Sequence, residues 1–151
     1  MRSAIATLGL LLLFGSLLLA GQEPTSNLKT RADAAQGNER ITVALEYARQ
    51  QLEYANKLYT DGDVEKGEAA VAEVLDYCDR ATQAAISSNK KVKQAEIDLR
   101  KLERRMHDIG QSLNIDDRPP LEKGVQQIEQ LRANLLAKMF GEKAEPKDKT
   151  E

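Results

Sequence analysis

The apolar residues of this chain follow a heptad pattern, with spacings that alternate between four and three residues. The pattern runs through residues 41–59, resumes over 64–113 and returns over 121–139. Helices with this pattern pack against one another along a narrow apolar seam. The chain has no Trp, and aromatic residues make up only 4% of it, so little in it favours strands. The sequence therefore predicts an all-α fold.

Two short segments interrupt the heptad pattern and contain residues that end or begin helices. The first, TDGD at 60–63, contains Gly62, which suits the left-handed conformation that follows a helix end. The second, NIDDRPP at 114–120, contains Pro119 and Pro120, which suit the start of a new helix. The helices are therefore predicted over about 38–60, 63–113 and 119–140.

The segment AISSNKKVK, residues 85–93, decides between two arrangements of these helices. It contains neither Gly nor Pro. The helix propensities of Ser87, Ser88 and Asn89 are unfavourable by only about a few tenths of a kcal/mol each. The heptad phase also continues through these residues. We therefore predict one continuous central helix over 63–113, about 75 Å long. The outer helices fold back antiparallel on its two halves, which gives an elongated, coiled-coil-like rod.

The alternative is a four-helix up-down bundle with a turn at 87–89. Its four segments would have similar lengths, as such a bundle requires. Acidic residues predominate over 61–80 and basic residues over 90–105, so folding the second half onto the first would bring opposite charges together. The sequence leaves this arrangement open.

The N-terminus has the plan of a secretory signal peptide. Arg2 precedes an uncharged apolar run over 5–20, and a polar segment follows it. Leu18 and Leu19 stand where a cleavage site prefers a small residue, so an uncleaved N-terminal anchor is the alternative. Either way, the rest of the chain is expected to be exported, periplasmic or secreted, with membrane contact only through an uncleaved N-terminal segment. The predicted parts are a signal peptide or anchor at 1–21, a polar linker at 22–37, a helical domain at 38–141 and a disordered charged tail at 142–151.

One acidic stretch resembles a calcium-binding loop in its spacing. Asp61, Asp63 and Glu65 occupy the first, third and fifth positions of such a loop. Lys66 stands at the position that requires glycine, however, and Ala72 at the position that requires glutamate. The stretch is therefore interpreted as the start of a helix, where acidic side chains interact favourably with the positive end of the helix dipole.

Motifs for catalysis and cofactor binding are absent from the sequence. His107 is the only histidine and has no neighbouring metal-ligating partner, and Cys78 is the only cysteine, so no disulfide can form within the chain. The net charge of −2 gives no reason to expect binding to nucleic acid. We therefore expect a non-enzymatic protein with no cofactor, no metal, no small-molecule substrate and no nucleic-acid partner.

The first predicted hairpin, which includes helix 38–60, carries more apolar side chains than a two-helix seam needs. On an isolated rod these residues would lie on the surface, whereas in a bundle they would lie in the core. Tyr is enriched at protein interfaces, which favours a partner-binding surface. The residues predicted to bind a partner are Tyr47, Tyr54, Leu58, Leu75, Tyr77 and Ile86.

These expectations define two functional hypotheses. The first is an exported, non-enzymatic interaction or scaffold protein of the cell envelope, which binds itself as a homodimer or binds a protein partner. The alternative is a periplasmic chaperone-like protein that holds unfolded clients between helical arms. The second hypothesis requires an exposed apolar concavity, which sequence alone does not reveal.

Overall fold

The computed structural model describes residues 26–141, and within this range all regular structure is helical. The all-α prediction is therefore confirmed. The predicted signal peptide at 1–21 and charged tail at 142–151 lie outside the described residues. The elements are α1 (Ser26–Ala34), α2 (Gly37–Thr60), α3 (Val64–Ser88), α4 (Val92–Ser112), a short 3₁₀ helix (Ile115–Asp117) and α5 (Pro119–Gly141).

The central helix is interrupted, so the prediction of one continuous helix over 63–113 is wrong. Helix α3 ends at Ser88 and α4 begins at Val92. Between them, Asn89 and Lys91 adopt the left-handed backbone conformation, with φ of 52° and 53°. The turn of the alternative arrangement is therefore present, two residues later than the predicted 87–89.

The break at this point has a local and a tertiary cause. Asn tolerates the left-handed conformation better than most residues, so Asn89 ends α3 much as a glycine would. Lys91 adopts the same conformation at a cost of roughly 1 kcal/mol. Folding back at this turn buries apolar side chains that a two-helix rod would expose, at about 25 cal/mol per Å². Burial of even one large side chain outweighs the local strain.

The four long helices form two antiparallel hairpins, α2 with α3 and α4 with α5. The hairpins pack together with α4 beside α2 and α5 beside α3. Lys91 Nζ donates to Thr42 Oγ1 at 2.6 Å, and Arg105 donates to Glu53 at 2.7 Å, so α2 and α4 run in the same direction. The turns at 61–63 and 113–118 therefore lie at one end of the bundle, and the turn at 89–91 lies at the other.

The turns at the first end follow the sequence prediction. Gly62 has φ of +85°, the left-handed conformation predicted for it. Helix α5 begins at Pro119, as expected of a proline in the first helical turn. The Arg118 guanidinium donates to the carbonyl oxygens of Leu113 and Gln111 at 3.0 and 3.3 Å, so it holds the α4–α5 turn against the end of α4.

The polar linker predicted over 22–37 is wrong for residues 26–34, which form α1. The apolar side chains of Leu28, Ala32 and Ala35 are buried against the first hairpin. Glu73 of α3 accepts hydrogen bonds from Lys29 of α1 and from Gln51 of α2, the latter at 2.8 Å. The short helix is therefore held to the hairpin by both apolar packing and polar contacts.

A largely buried ionic cluster joins α4 to α5. Arg132 of α5 donates to Glu96 at 2.9 Å and also to Glu103, while Arg100 donates to the second oxygen of Glu96 at 2.7 Å. Burial raises the pKa of Glu96, but the hydrogen bonds and charges of Arg100 and Arg132 outweigh this effect and leave the pKa below its ordinary value. Glu96 is therefore charged and paired, and it aligns the second hairpin.

Candidate functional site

Three of the six residues predicted as a partner surface are buried in the core. Tyr47, Tyr77 and Leu58 are only 0, 2 and 7% exposed, so the expected exposure of these three is wrong. The rings of Tyr47 and Tyr77 meet edge to face, with their centroids 4.5 Å apart. The remaining three residues are partly buried against the same core: Tyr54, Leu75 and Ile86.

Helices α1 and α5 cover these side chains, which neither helix would reach in the predicted rod. Asp33 of α1 accepts hydrogen bonds from the Tyr77 hydroxyl and from Arg80, the latter at 3.1 Å. The Arg80 guanidinium also lies 4.7 Å from the centroid of the Tyr77 ring. Burial raises the pKa of Tyr77, and the hydrogen bond to Asp33 raises it further. On the other side of the hairpin α5 covers Leu75, since a Cβ atom at Gly124 would lie 3.6 Å from its Cδ1.

An open groove of about 430 Å³ lies between the parallel helices α2 and α4. Its floor consists of the edges of Leu45 and Leu102, which are otherwise buried in the core. Charged and polar side chains form its walls. The α2 wall consists of Thr42, Glu46, Arg49 and Glu53, and the α4 wall of Asp98, Lys101 and Arg105. We call this the α2–α4 groove.

Ion pairs occupy part of the α2–α4 groove. Arg105 donates from Nε and from Nη2 to the two carboxylate oxygens of Glu53, each at 2.7 Å, which is the bidentate geometry that an arginine favours. The hydrogen bond from Arg105 lowers the pKa of Glu53 and outweighs the opposing effect of burial. Lys101 lies 3.6 Å from Asp98, and both residues belong to the α4 wall. The pair of Glu53 and Arg105 therefore ties α2 to α4, whereas the pair of Asp98 and Lys101 lies within α4.

Two charged side chains of the α2–α4 groove have no hydrogen bond or ion pair among residues 26–141. Arg49 is exposed and Glu46 is half-buried, one helical turn apart on α2. With the leucine floor between the walls, the groove offers a positive group, a negative group and an apolar strip within one short length. Such a combination can bind a polypeptide segment with complementary charges on either side of an apolar residue.

Sequence reasoning missed the α2–α4 groove because nothing local indicates it. The stripe of Glu46, Arg49 and Glu53 is the ordinary polar face of an amphipathic helix. It becomes one wall of a groove only because α4 lies parallel to α2, through a fold-back at residue 89. The surplus apolar residues of the first hairpin were a stronger sequence signal, but they indicated burial and not a binding surface.

The one histidine and the one cysteine of the sequence both lie within the described residues. Over residues 26–141, no group of three or more His, Cys, Asp or Glu side chains is placed to hold a metal ion. His107 is exposed on α4, with its Nδ1 3.8 Å from Asp108. Cys78 is fully buried, and burial together with the charge of Asp79 raises the pKa of its thiol to about 12. That thiol is therefore protonated and inaccessible at neutral pH.

Comparison with known proteins gives no match. No protein family, no curated protein and no solved structure matches the chain. In the part of the chain that the structure describes, no helix has the length and apolar character needed to cross a membrane. The α2–α4 groove is therefore interpreted from its own geometry and charges.

Proposed function

We propose that this chain is an exported, non-enzymatic interaction protein of the cell envelope, which binds a protein partner through the α2–α4 groove. The observation that carries the proposal is the groove itself, an open cleft with a leucine floor and the unengaged charges of Arg49 and Glu46 on one wall. A protein segment with charges and an apolar residue would complement all three features.

The chemistry of the groove favours a defined partner over unfolded clients. A protein that holds unfolded chains needs a broad apolar surface, because its clients share only their exposed apolar residues. The exposed walls of the α2–α4 groove are charged, and its leucines are accessible only along a narrow strip. Oppositely charged groups at fixed positions select for one arrangement of charges on the partner.

The proposal of export rests on the apolar run at residues 5–20, which lies outside the described residues. A reporter enzyme that is active only after export, fused to the C-terminus of the full chain, tests it directly. We expect activity with the native N-terminus and none after Leu11 and Leu12 are both changed to Arg. No activity from the native fusion would argue against export, and equal activity from both fusions would argue against the apolar run as the export signal.

The partner is tested by photo-crosslinking in the native cells. A benzophenone amino acid is placed at Thr42 on one wall of the α2–α4 groove, at Lys101 on the other wall, or at Gln127 on α5. Gln127 is exposed and does not line the groove, so it serves as the control. We expect the same crosslinked species from Thr42 and Lys101 and none from Gln127.

A charge-exchanged variant separates specific binding from chance proximity. The double variant E46K/R49E keeps the net charge and leaves the groove floor unchanged, but it exchanges the positions of the two unengaged charges. We expect it to reduce crosslinking from Thr42 at least tenfold, with an unchanged helical circular dichroism spectrum. Crosslinking of equal strength from all three positions, or crosslinking that the exchange leaves intact, would refute the groove as the binding site.

A further inference from the structure

The large apolar side chains that remain exposed over residues 26–141 lie at the two ends of the bundle. Ile115, in the α4–α5 turn, is 78% exposed. Phe140 and Leu136, one turn apart at the end of α5, are 61% and 36% exposed. Leu121 lies beside Gly110, where an added Cβ atom would be 3.5 Å from its Cβ, whereas Arg132 contacts Glu96. Helix α5 therefore runs antiparallel to α4, and Phe140 lies level with the turn at 89–91. The bundle therefore has one apolar site at each end.

The end that carries Ile115 is acidic. We define the acidic end as residues 60–68 and 113–118, which form the α2–α3 and α4–α5 turns. Its two basic side chains are engaged within the end itself, since Lys66 lies 3.3 Å from Asp63 and Arg118 donates to backbone carbonyl oxygens. Its acidic residues are Asp61, Asp63, Glu65, Glu68, Asp116 and Asp117.

The end that carries Leu136 and Phe140 is basic. We define the basic end as residues 36–41, 89–93 and 136–141. Lys90 and Lys93 are exposed and have no ion pair among the described residues, and Glu39 is the single acidic residue of this end. Its basic residues are Arg40, Lys90, Lys91, Lys93 and Lys138. The two ends thus oppose each other in charge and resemble each other in presenting an apolar group.

We propose that the acidic end of one copy binds the basic end of a second copy, so that the protein associates head to tail. Ile115 would pack against Leu136 and Phe140, and the lysines of the 89–93 turn would surround this contact opposite Asp116 and Asp117. The two ends are different surfaces of one molecule, so the contact is heterologous and each addition leaves both ends of the assembly free. Association therefore produces linear chains of increasing length rather than a closed dimer.

A second copy is the occupant that complementarity favours. An anionic lipid surface would match the basic end alone and would leave Ile115 and the acidic end unmatched. A second copy supplies the opposite charge and an apolar partner to both ends at once. The contact area of a bundle end is small, so the association is expected to be weak, and its charged rim makes it strongly dependent on salt. The inference extends the proposed function by naming a second copy as a partner, through surfaces separate from the α2–α4 groove.

The first test measures mass against salt with the full chain. Sedimentation velocity is recorded over a range of protein concentrations at 20 and 300 mM NaCl, in one mild detergent that keeps residues 5–20 soluble. We expect the average mass to increase with concentration beyond that of a dimer at 20 mM and to fall at least threefold at 300 mM. Association that 300 mM salt leaves unchanged would assign it to apolar contacts elsewhere and would overturn the inference.

The second test exchanges the charges of the ends. The variant K90E/K93E places negative charges opposite Asp116 and Asp117, and D116K/D117K places positive charges opposite Lys90 and Lys93. Like charges then repel at the contact, so neither variant should associate alone. An equimolar mixture restores opposite charges at every contact and should associate as the parent does. The matched control is K101E/R104E, which makes the same change in net charge on the side of α4 and should associate normally. Parent-like association of either end variant alone, or no recovery in the mixture, would overturn the inference.

Two further measurements address the apolar groups and the lipid alternative. The variants I115S and F140S change exposed side chains, so the fold should persist while association weakens several-fold. Vesicles that contain anionic phosphatidylglycerol test whether the basic end binds a membrane instead. The inference would be overturned in favour of a membrane surface if the parent binds these vesicles but does not self-associate, and if K90E/K93E loses vesicle binding. The variant E46K/R49E should associate end to end normally, so failure of the α2–α4 groove and failure of the ends are separately observable.

Discussion

Glycine at position 91 should give a more stable protein than alanine, because Lys91 has a left-handed backbone with φ of 53°. A Cβ atom in this conformation costs about 1–2 kcal/mol. Glycine removes that cost, although its greater conformational freedom in the unfolded chain offsets about 0.5–1 kcal/mol of the gain in stability. The comparison is made with Lys91→Ala, which keeps the Cβ atom but also removes the hydrogen bond from Nζ to Thr42. Glycine should therefore be more stable than alanine at position 91 by roughly 0.5–1 kcal/mol.

The sign of this difference distinguishes a turn from a continuous helix. In a continuous helix, glycine at position 91 would be less stable than alanine by about 1 kcal/mol. The assay is thermal unfolding followed by circular dichroism, in which 1 kcal/mol corresponds to roughly 4 °C for a chain of this size. Lys101, exposed in the middle of α4, is the control position, where glycine should be the less stable residue. A lower melting temperature for glycine than for alanine at position 91 would refute the turn at 89–91.

Three further predictions follow from the buried groups. The pKa of Glu96 is lowered in the folded protein, so its charge stabilises the fold above its ordinary pKa of 4.5, and this contribution is lost as the pH falls through the folded value. The variant E96Q should therefore lose less stability than the parent between pH 6 and pH 3, as measured by urea unfolding. An identical loss in both proteins would contradict the pairing. Cys78 is the only cysteine and has a thiol pKa of about 12, so a thiol reagent at pH 8 should leave it unmodified in the folded protein and modify it fully in denaturant. Replacing Tyr77 by Phe removes the hydrogen bond to Asp33, worth about 1 kcal/mol, so amide hydrogen exchange across α1 should accelerate roughly fivefold while exchange in α5 stays unchanged.

Much of the fold could be predicted from heptad spacing and helix-ending residues. Helices α2 and α5 begin and end within one residue of their predicted bounds, because Gly62 and Pro119 mark their limits locally. The break after Ser88 could not be predicted in the same way, since its left-handed residues are Asn89 and Lys91 and neither is a glycine. The free energy that favours the turn comes from apolar side chains buried between the two hairpins. The local sequence around residue 89 gives no indication of this tertiary contact. The nine residues of α1 were missed for a related reason, because Leu28 and Ala32 are too few to establish a period.

The candidate sites depend on tertiary arrangement to a greater degree. The α2–α4 groove requires Thr42 and Lys91, far apart in the sequence, to lie within hydrogen-bond distance. The acidic and basic ends likewise collect residues from separate turns, although the uneven charge of 61–80 and 90–105 was visible in the sequence. Charge pattern could therefore be predicted, whereas the surfaces on which the charges meet could not.

The burial of Tyr47 and Tyr77 has a consequence for how this protein can bind others. In a two-helix rod the surplus apolar residues would have formed a large apolar surface, and association through it would have been strong and little affected by salt. In the bundle α1 covers Tyr77, and the exposed surface of the described residues is mainly charged, with isolated apolar groups at Ile115 and Phe140. Binding through such a surface depends on the arrangement of charges, so it should be selective, reversible and sensitive to ionic strength. The fold-back at 89–91 thus buries the apolar excess of the chain, and the proposed contacts through the α2–α4 groove and the two ends rely on electrostatics.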